Sequence, residues 1–425
     1  MLSTKRKEDA RSDIPSAKGQ MPLWKRNLIV CWVGMFATGI GMSQIAPILP
    51  LYITELGVTG DGMINQLSGI AFGVTFVVAA IFSPIWGSAA DKYGRKPMLL
   101  RASLGMAVVV ALMGFAPNVT VLILLRVLLG TISGYITACN TLIATQVDKG
   151  NAGFALGTLA TSNVAGSLLG PIIGGFIGDT FGLPPVFFIT GSFMFIAFLL
   201  TLFFVKENFV PPEKKNEKMK EVWKVIPEKR LTAVLCVTFF VIMLGLYSIE
   251  PIITIYIKDM TVDLTHLALI SGLAFSASGV GNVISASWLG RISDRRGAHK
   301  VLLVSLITAG LFFIPQAFVH TPWELMGWRF LLGITLGGLT PAVITLVRKI
   351  TPEAHVGRIF GFTMSAQYLG IFGGAVFGGQ VSAAFGIPTV LLITGALMFI
   401  AAVWVYLFVF RRFHNKKEGL IADAV

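Results

Sequence analysis

Charge is what this sequence has least of. Asp, Glu, Lys and Arg make up 13% of its 425 residues and hydrophobic residues 55%, whereas a soluble globular protein carries about 25% charge. That excludes a set of water-soluble domains. Cysteine is equally sparse: Cys31, Cys139 and Cys236 all lie in apolar runs, so neither a disulfide framework nor a CxxC metal site is expected, and each reads as a small core hydrophobe. The chain has no G-x-x-x-x-G-K-[ST] phosphate loop. No His, Asp and Ser constellation falls inside the apolar runs, so no enzyme, cofactor or metal centre is predicted. The net charge of +13 does not indicate nucleic acid, because the basic residues form no single patch interleaved with aromatics.

What the sequence has in abundance is long apolar runs. A helix needs about 20 residues to cross a hydrocarbon core. Such runs, cut by loop punctuation, predict spans near 27–53, 64–86, 98–115, 119–145, 152–178 and 184–205, then 231–257, 265–289, 300–318, 323–347, 355–383 and 388–410. The first run lacks a cleavage pattern and reads as a retained helix. The expected organisation is a tail (1–26), a six-helix bundle (27–205), a charged linker (206–230) that is amphipathic helix in part, a second six-helix bundle (231–410) and a tail (411–425). Lys and Arg gather in or beside the tails, the linker and the loops after spans 2, 4, 8 and 10; Arg126, Arg329 and Lys258 are the exceptions. The positive-inside rule then puts both termini in the cytoplasm.

The two bundles repeat one another at an offset of 203 or 204 residues. Pro47 and Tyr52 return as Pro251 and Tyr256, and Arg126, Gly130 and Gly134 as Arg329, Gly333 and Gly337. Gly157, Gly166, Gly170, Gly174, Gly175 and Gly182 return as Gly361, Gly370, Gly374, Gly378, Gly379 and Gly386. Parallel six-helix repeats place a cavity between them near the membrane midplane, which rocking of the halves exposes to either side. The fold class expected is therefore an all-α membrane protein of two pseudo-symmetric bundles.

The charged stretch "WGSAADKYGRKPML" between spans 2 and 3 also has a second copy, "LGRISDRRGAHKVL", between spans 8 and 9. Its pattern G-x-x-x-D-x-x-G-R-K resembles the signature of the major facilitator superfamily. The resemblance implies a conformational latch made by Gly87, Asp91, Gly94 and Arg95, and by Asp294 in the second copy, in which the aspartate holds a neighbouring helix end when the cytoplasmic side is shut. A carboxylate at a helix N-terminus gains roughly 0.3–1 kcal/mol, weak enough to break on each cycle. Ala298 and His299 replace Arg95 and Lys96 in the second copy, and His299 is expected in a solvated loop. "AGSLLGPIIGG" in span 5, with Gly166, Gly170, Pro171, Gly174 and Gly175, resembles the motif of the superfamily's drug and proton antiporters. Small residues four apart permit close helix approach and the proline bends the helix.

Two ionisable residues sit deep in spans. Arg126 in span 4 is costly in hydrocarbon unless paired or hydrated, by about 2.5 kcal/mol or more, and its surroundings partly resemble the motif linked to proton movement. Glu250 lies late in span 7, before Pro251. A carboxyl kept from water favours its neutral form, so Glu250 can take a proton from outside and release it to a cationic substrate or an inward-facing cavity. Arg329 is expected to reach the outer interface or to brace span 10, and Asp148, Asp179 and Glu324 to be ordinary loop charges. Gln44, Tyr135, Asn140, Asn163, Tyr247 and Gln367 are the candidate cavity residues among many Phe and Met side chains, which suit ligands of varied shape. The function expected is export of amphipathic or cationic drugs in exchange for protons by a lipid-embedded monomer, the proton gradient taking the place of a cofactor. Transport of a sugar or organic anion stays open, for which a cluster of paired charges in the cavity would be the mark.

Overall fold

The computed structural model describes residues 22–148, 150–209, 228–351 and 356–412. Most of the linker expected at 206–230, with its amphipathic helix, and most of both tails lie outside the described residues. Apolar composition produces helix throughout, and the spans are Leu23–Ser43 with Ile45–Glu55 (span 1), Asp61–Tyr93 (2), Arg95–Met113 (3), Val119–Ile132 with Tyr135–Gln146 (4), Ala152–Phe181 (5) and Leu183–Phe204 (6). In the second half they are Lys229–Ile249 with Ile253–Met260 (7), Leu267–Arg296 (8), Ala298–Gln316 (9), Pro322–Ile350 (10), Val356–Phe385 (11) and Ile387–Val405 (12), the last continued by a π-helical turn, Tyr406–Phe410. Eleven of these are long and apolar enough to cross a membrane, and the two pieces of span 1, bent by 46°, make a twelfth. Exposed Ile81, Phe115, Phe203 and Val403 belong to the apolar outer surface such a protein turns to lipid. This is a multi-pass membrane protein.

Each interruption has a local cause. Span 1 bends at Gln44, between the two helices, with Pro47 and Pro50 just beyond. Span 7 breaks over Glu250, Pro251 and Ile252, where Pro251 supplies no N–H. Span 4 breaks at Ser133 and Gly134, with Gly134 at φ +127°, a conformation glycine alone adopts easily. Spans 2 and 8 run further than apolar length suggests. Asp91 and Asp294 are helical, and the turns shrink to single glycines, Gly94 at φ +94° and Gly297 at φ +101°. His299 accordingly stands in the first turn of span 9, half-buried, with its ring 5.3 Å from Phe410, rather than in a solvated loop.

The repeat is visible as paired hydrogen bonds. Tyr52 donates to the Met113 carbonyl and Tyr256 to that of Gln316, both at 2.8 Å. Gln44 bonds Thr190, and Ser248 bonds Thr394. Buried in the bundle interiors, these bonds tie spans 1 to 3 and 6, and 7 to 9 and 12.

The halves meet along two main seams, span 2 on span 11 and span 5 on span 8, at the end opposite the charged turns, where Thr254 of span 7 also donates to the Pro47 carbonyl of span 1 at 2.8 Å and Lys258 of span 7 pairs with Asp61 of span 2 at 2.9 Å. A methyl group on Gly69 would strike the Ala375 carbonyl, and one on Gly272 the Pro171 carbonyl, the same contact related by the repeat. Gly379 lies against Asn65 and Gly175 against Ala268 in the same way. At the charged-turn end the matching glycines Gly87, Gly157, Gly290 and Gly361 have nothing within 4 Å of such a methyl. The molecule is open at the charged turns and shut at the other end.

Candidate functional site

Opening at one end leaves a central cavity of about 330 Å³, framed by Met42, Phe76, Trp86, Tyr135, Ile136 and Tyr368, with Asp91, Arg95 and Arg101 also on its wall. A second cavity of about 190 Å³ lies in the second half, lined by Tyr247, Glu250, Asn282, Arg329, Thr340 and Gln367 among others. Aromatic rings stand between them: Phe76 is 6.2 Å from both Tyr247 and Tyr368, and Phe72 is 6.1 Å from Tyr247. The first cavity mixes Met42, Met98, Met106 and four aromatic rings with Ser and Thr hydroxyls and the charged Asp91, Arg95 and Arg101. The second is small and polar.

Glu250 occupies the break in span 7, and its partner is Arg329 rather than Arg126. Arg329 Nη2 donates to Glu250 Oε1 at 3.1 Å, with the arginine side chain 3% exposed and the carboxylate 24%. Arg329 Nε also donates to the Ala274 carbonyl at 3.2 Å, and its guanidinium lies 5.4 Å from the Phe275 ring. Arg329 therefore neither reaches an interface nor merely braces span 10. It supplies the charge that makes a half-buried carboxylate within a span tolerable. Removing one member of such a pair leaves the other unpaired in a low dielectric.

Arg126 occupies the corresponding place in the first half without an acid. Its Nε donates to the Ala71 carbonyl at 2.8 Å and its Nη2 to that of Phe72 at 3.1 Å, over the Phe72 ring, while Nη1 has no hydrogen-bond partner. The position equivalent to Glu250 is Ala46. Arg126 lines neither cavity, and the structure does not bring it to Glu250.

The latch contact is expected when the charged-turn end is shut, and that end is open here. Asp91, at the end of span 2 and largely exposed, pairs with Arg95 at the start of span 3 at 2.7 Å. The acid at a helix N-terminus is Glu207, which follows span 6 and accepts from the backbone N–H of Arg95 at 2.9 and 2.8 Å and of Lys96 at 2.7 Å. Placed in the basic linker, Glu207 went unnoticed; its signal is an acid directly after an apolar run, facing a glycine turn. Asp294 is exposed and makes no ion pair among the described residues. Gly87, expected to permit close approach, faces open space here.

The glycines of span 5 have two faces. Gly166 and Gly170 press on the backbone of span 1 and Gly174 on Gln44, while Gly175 and the Pro171 carbonyl meet span 8 of the other half. Pro171 does not interrupt the helix. Of the expected cavity residues, Tyr135 lines the larger cavity, and Tyr247 and Gln367 the smaller. Gln44 is buried on Thr190, and Asn140 and Asn163 line neither. Two acids expected in loops prove to lie within helices, and one of them caps another helix. Asp179 lies near the end of span 5 and accepts from the Ala268 and Leu269 N–H groups of span 8, and Glu324 sits in the first turn of span 10, its amide bonded to Thr321.

Two half-bundles around such a pair of cavities are matched by known proteins. The model of the Major Facilitator Superfamily fits residues 31–272 and 235–423. The chain belongs to that superfamily. Among its relatives, "Multidrug resistance protein MdtG" of Salmonella typhimurium is 46% identical over 382 residues, 90% of this chain and 95% of the relative; the protein of the same name from Salmonella schwarzengrund is 45% identical over the same length. Two solved structures share the superfamily fold at 15% identity. A nucleoside transporter, NupG, matches with TM-score 0.72 over 91% of this chain and all of the other. A bacterial homologue of the human lysosomal transporter Spinster, inward-facing and occupied, matches with TM-score 0.75 over 92% and 97%.

Proposed function

We propose that the protein exports amphipathic or cationic drugs in exchange for protons by alternating access. The relatives 46% identical to it are named multidrug resistance proteins, and the larger cavity has methionine and aromatic side chains in its wall, which accommodate ligands of different shapes. The basic turns mark their end as cytoplasmic, so the present state is inward-open. In the alternate state the charged-turn end shuts, bringing together the helix faces that carry Gly87, Gly157, Gly290 and Gly361, and the turns of Asp91 and Asp294 lie at that closing edge.

One observation carries the coupling: an ionisable acid sits on the wall of an internal cavity, at a helix break, against a buried arginine. Opened outward, Glu250 takes a proton and Arg329 loses its counter-charge; opened inward, the proton leaves and the pair re-forms. Each proton entering through 100 mV brings about 2.3 kcal/mol. The test is everted vesicles with an acid lumen, in which wild-type protein accumulates a fluorescent cationic drug until an uncoupler is added. Glu250→Gln protein that still accumulates drug in proportion to the pH gradient removes this residue from the coupling.

A second reading has its own support. The larger cavity carries Arg95 and Arg101 against one acid, Asp91, which is already paired with Arg95. Arg101 Nη2 donates to the Ser133 carbonyl at the break in span 4, and the N-terminal turn of Tyr135–Gln146 lines the same wall. That favours an anionic group on the cargo. Competition between matched cationic and anionic amphiphiles in the same vesicles separates the two.

A further inference from the structure

The seam between spans 5 and 8 holds one charged contact between the halves that belongs to neither cavity. Asp179, two residues from the end of span 5, directs both carboxylate oxygens at the first turn of span 8: Oδ1 accepts from the Ala268 N–H at 3.1 Å and Oδ2 from the Leu269 N–H at 2.8 Å. These amides are among the four that a helix leaves without internal partners, at the positive end of its dipole. Gly175, one turn earlier, lets the span 8 backbone approach, and two turns further in Ser276 donates to the Leu168 carbonyl at 2.7 Å. The repeat-related seam, span 2 on span 11, has the same interlocking glycines, but no side-chain hydrogen bond crosses it among the described residues.

The geometry points to Asp179 as the clamp that keeps the end opposite the charged turns shut, a positioning residue that sets the ratio of the two states. Acid-to-amide bonds are charge-assisted and stronger than neutral ones. They lie between rigid bundles, so they break together when that end opens, and water then takes over both amides and carboxylate. The other charged contact between the halves at this end, Lys258 with Asp61 at 2.9 Å, is exposed on both sides and contributes less, as surface pairs do. This inference rests on the seam alone and holds whichever cargo is carried and whether or not Glu250 is the proton site.

The test is a spin-label distance measurement on the full chain in lipid nanodiscs. Labels go on Phe115→Cys and Phe318→Cys, one in each half, both exposed and both at the shut end, with Cys236→Ser removing the half-buried thiol. Asp179→Asn, nearly isosteric, and Asp179→Ala should both move population to the longer distance. The open-to-shut ratio should rise about tenfold or more, as losing even one of the two charge-assisted bonds implies. Asp179→Glu, which keeps the charge, should retain most of the wild-type distribution. If both the Asn and Ala proteins elute as wild type does and give its distance distribution unchanged, the clamp is refuted; the Asn variant decides alone should the Ala protein not fold.

Discussion

Arg329 and Arg126 are the same residue of a repeated design, each donating its Nε to a carbonyl fifty-five positions earlier, yet only Arg329 has an acid to meet. The repeat holds two arginine sites, and Glu250 in place of the equivalent Ala46 makes one of them an ion pair.

The first prediction follows from that difference. Arg329→Ala and Glu250→Gln should each abolish pH-driven accumulation, whereas Arg126→Lys, which keeps the charge but loses the fork of donors to Ala71 and Phe72, should lower expression and melting temperature first. Breaking a fully buried pair costs about 3–5 kcal/mol, and with the Glu250 carboxylate 24% exposed the loss should fall below that range. Melting curves beside vesicle flux distinguish the two kinds of damage.

Tyr52→Phe and Tyr256→Phe should behave alike. Each removes a 2.8 Å bond to a buried backbone carbonyl, of Met113 or Gln316, worth about 0.5–1.5 kcal/mol net. Thermal unfolding in detergent should show two similar drops. A drop for one variant only would mean that the halves differ in how their third helix is held.

Glu207 is predicted to matter for stability before transport. Glu207→Ala strips the N-terminus of span 3 of its three backbone bonds and should destabilise the first half by about 0.5–2 kcal/mol. Glu207→Gln, with one acceptor oxygen and no charge, should fall in between. Hydrogen exchange at Arg95 and Lys96 reads this directly.

Gly87→Ala and Gly272→Ala make an informative contrast. Gly87 is helical with open space around it, so alanine should leave stability unchanged or raise it by about 0.5–1 kcal/mol. Turnover should nevertheless fall, because the charged-turn end closes on that face in the alternate state. At Gly272 the added methyl meets the Pro171 carbonyl, so the variant should lose stability in the present state. Equal effects on melting and on flux at both sites would contradict the assignment of the two ends.

Helix number, the repeat and the glycine seams were legible in the sequence because they depend on local quantities: apolar length and the spacing of residues too small to keep helices apart. Partnership was not. Glu250 and Arg329 are 79 positions apart, and nothing in either neighbourhood announces the other, although aligning the halves would have shown an acid gained beside a repeated arginine. Asp179 and Glu207 were read as loop and linker charges because hydrophobicity ends before the helix or its contacts do, and a carboxylate that caps another helix looks solvated when only its own neighbours are read. Gln44 failed for the opposite reason: a polar side chain in a span was taken to need a cavity, when a threonine on the next helix satisfies it.

The rings of Phe72, Phe76, Tyr247 and Tyr368 between the two cavities have an electrical consequence. A file of water joining both compartments would be a wire, and a membrane held at 100 mV would discharge through it. The four rings stand across that path in the present state, so the two compartments are insulated from one another.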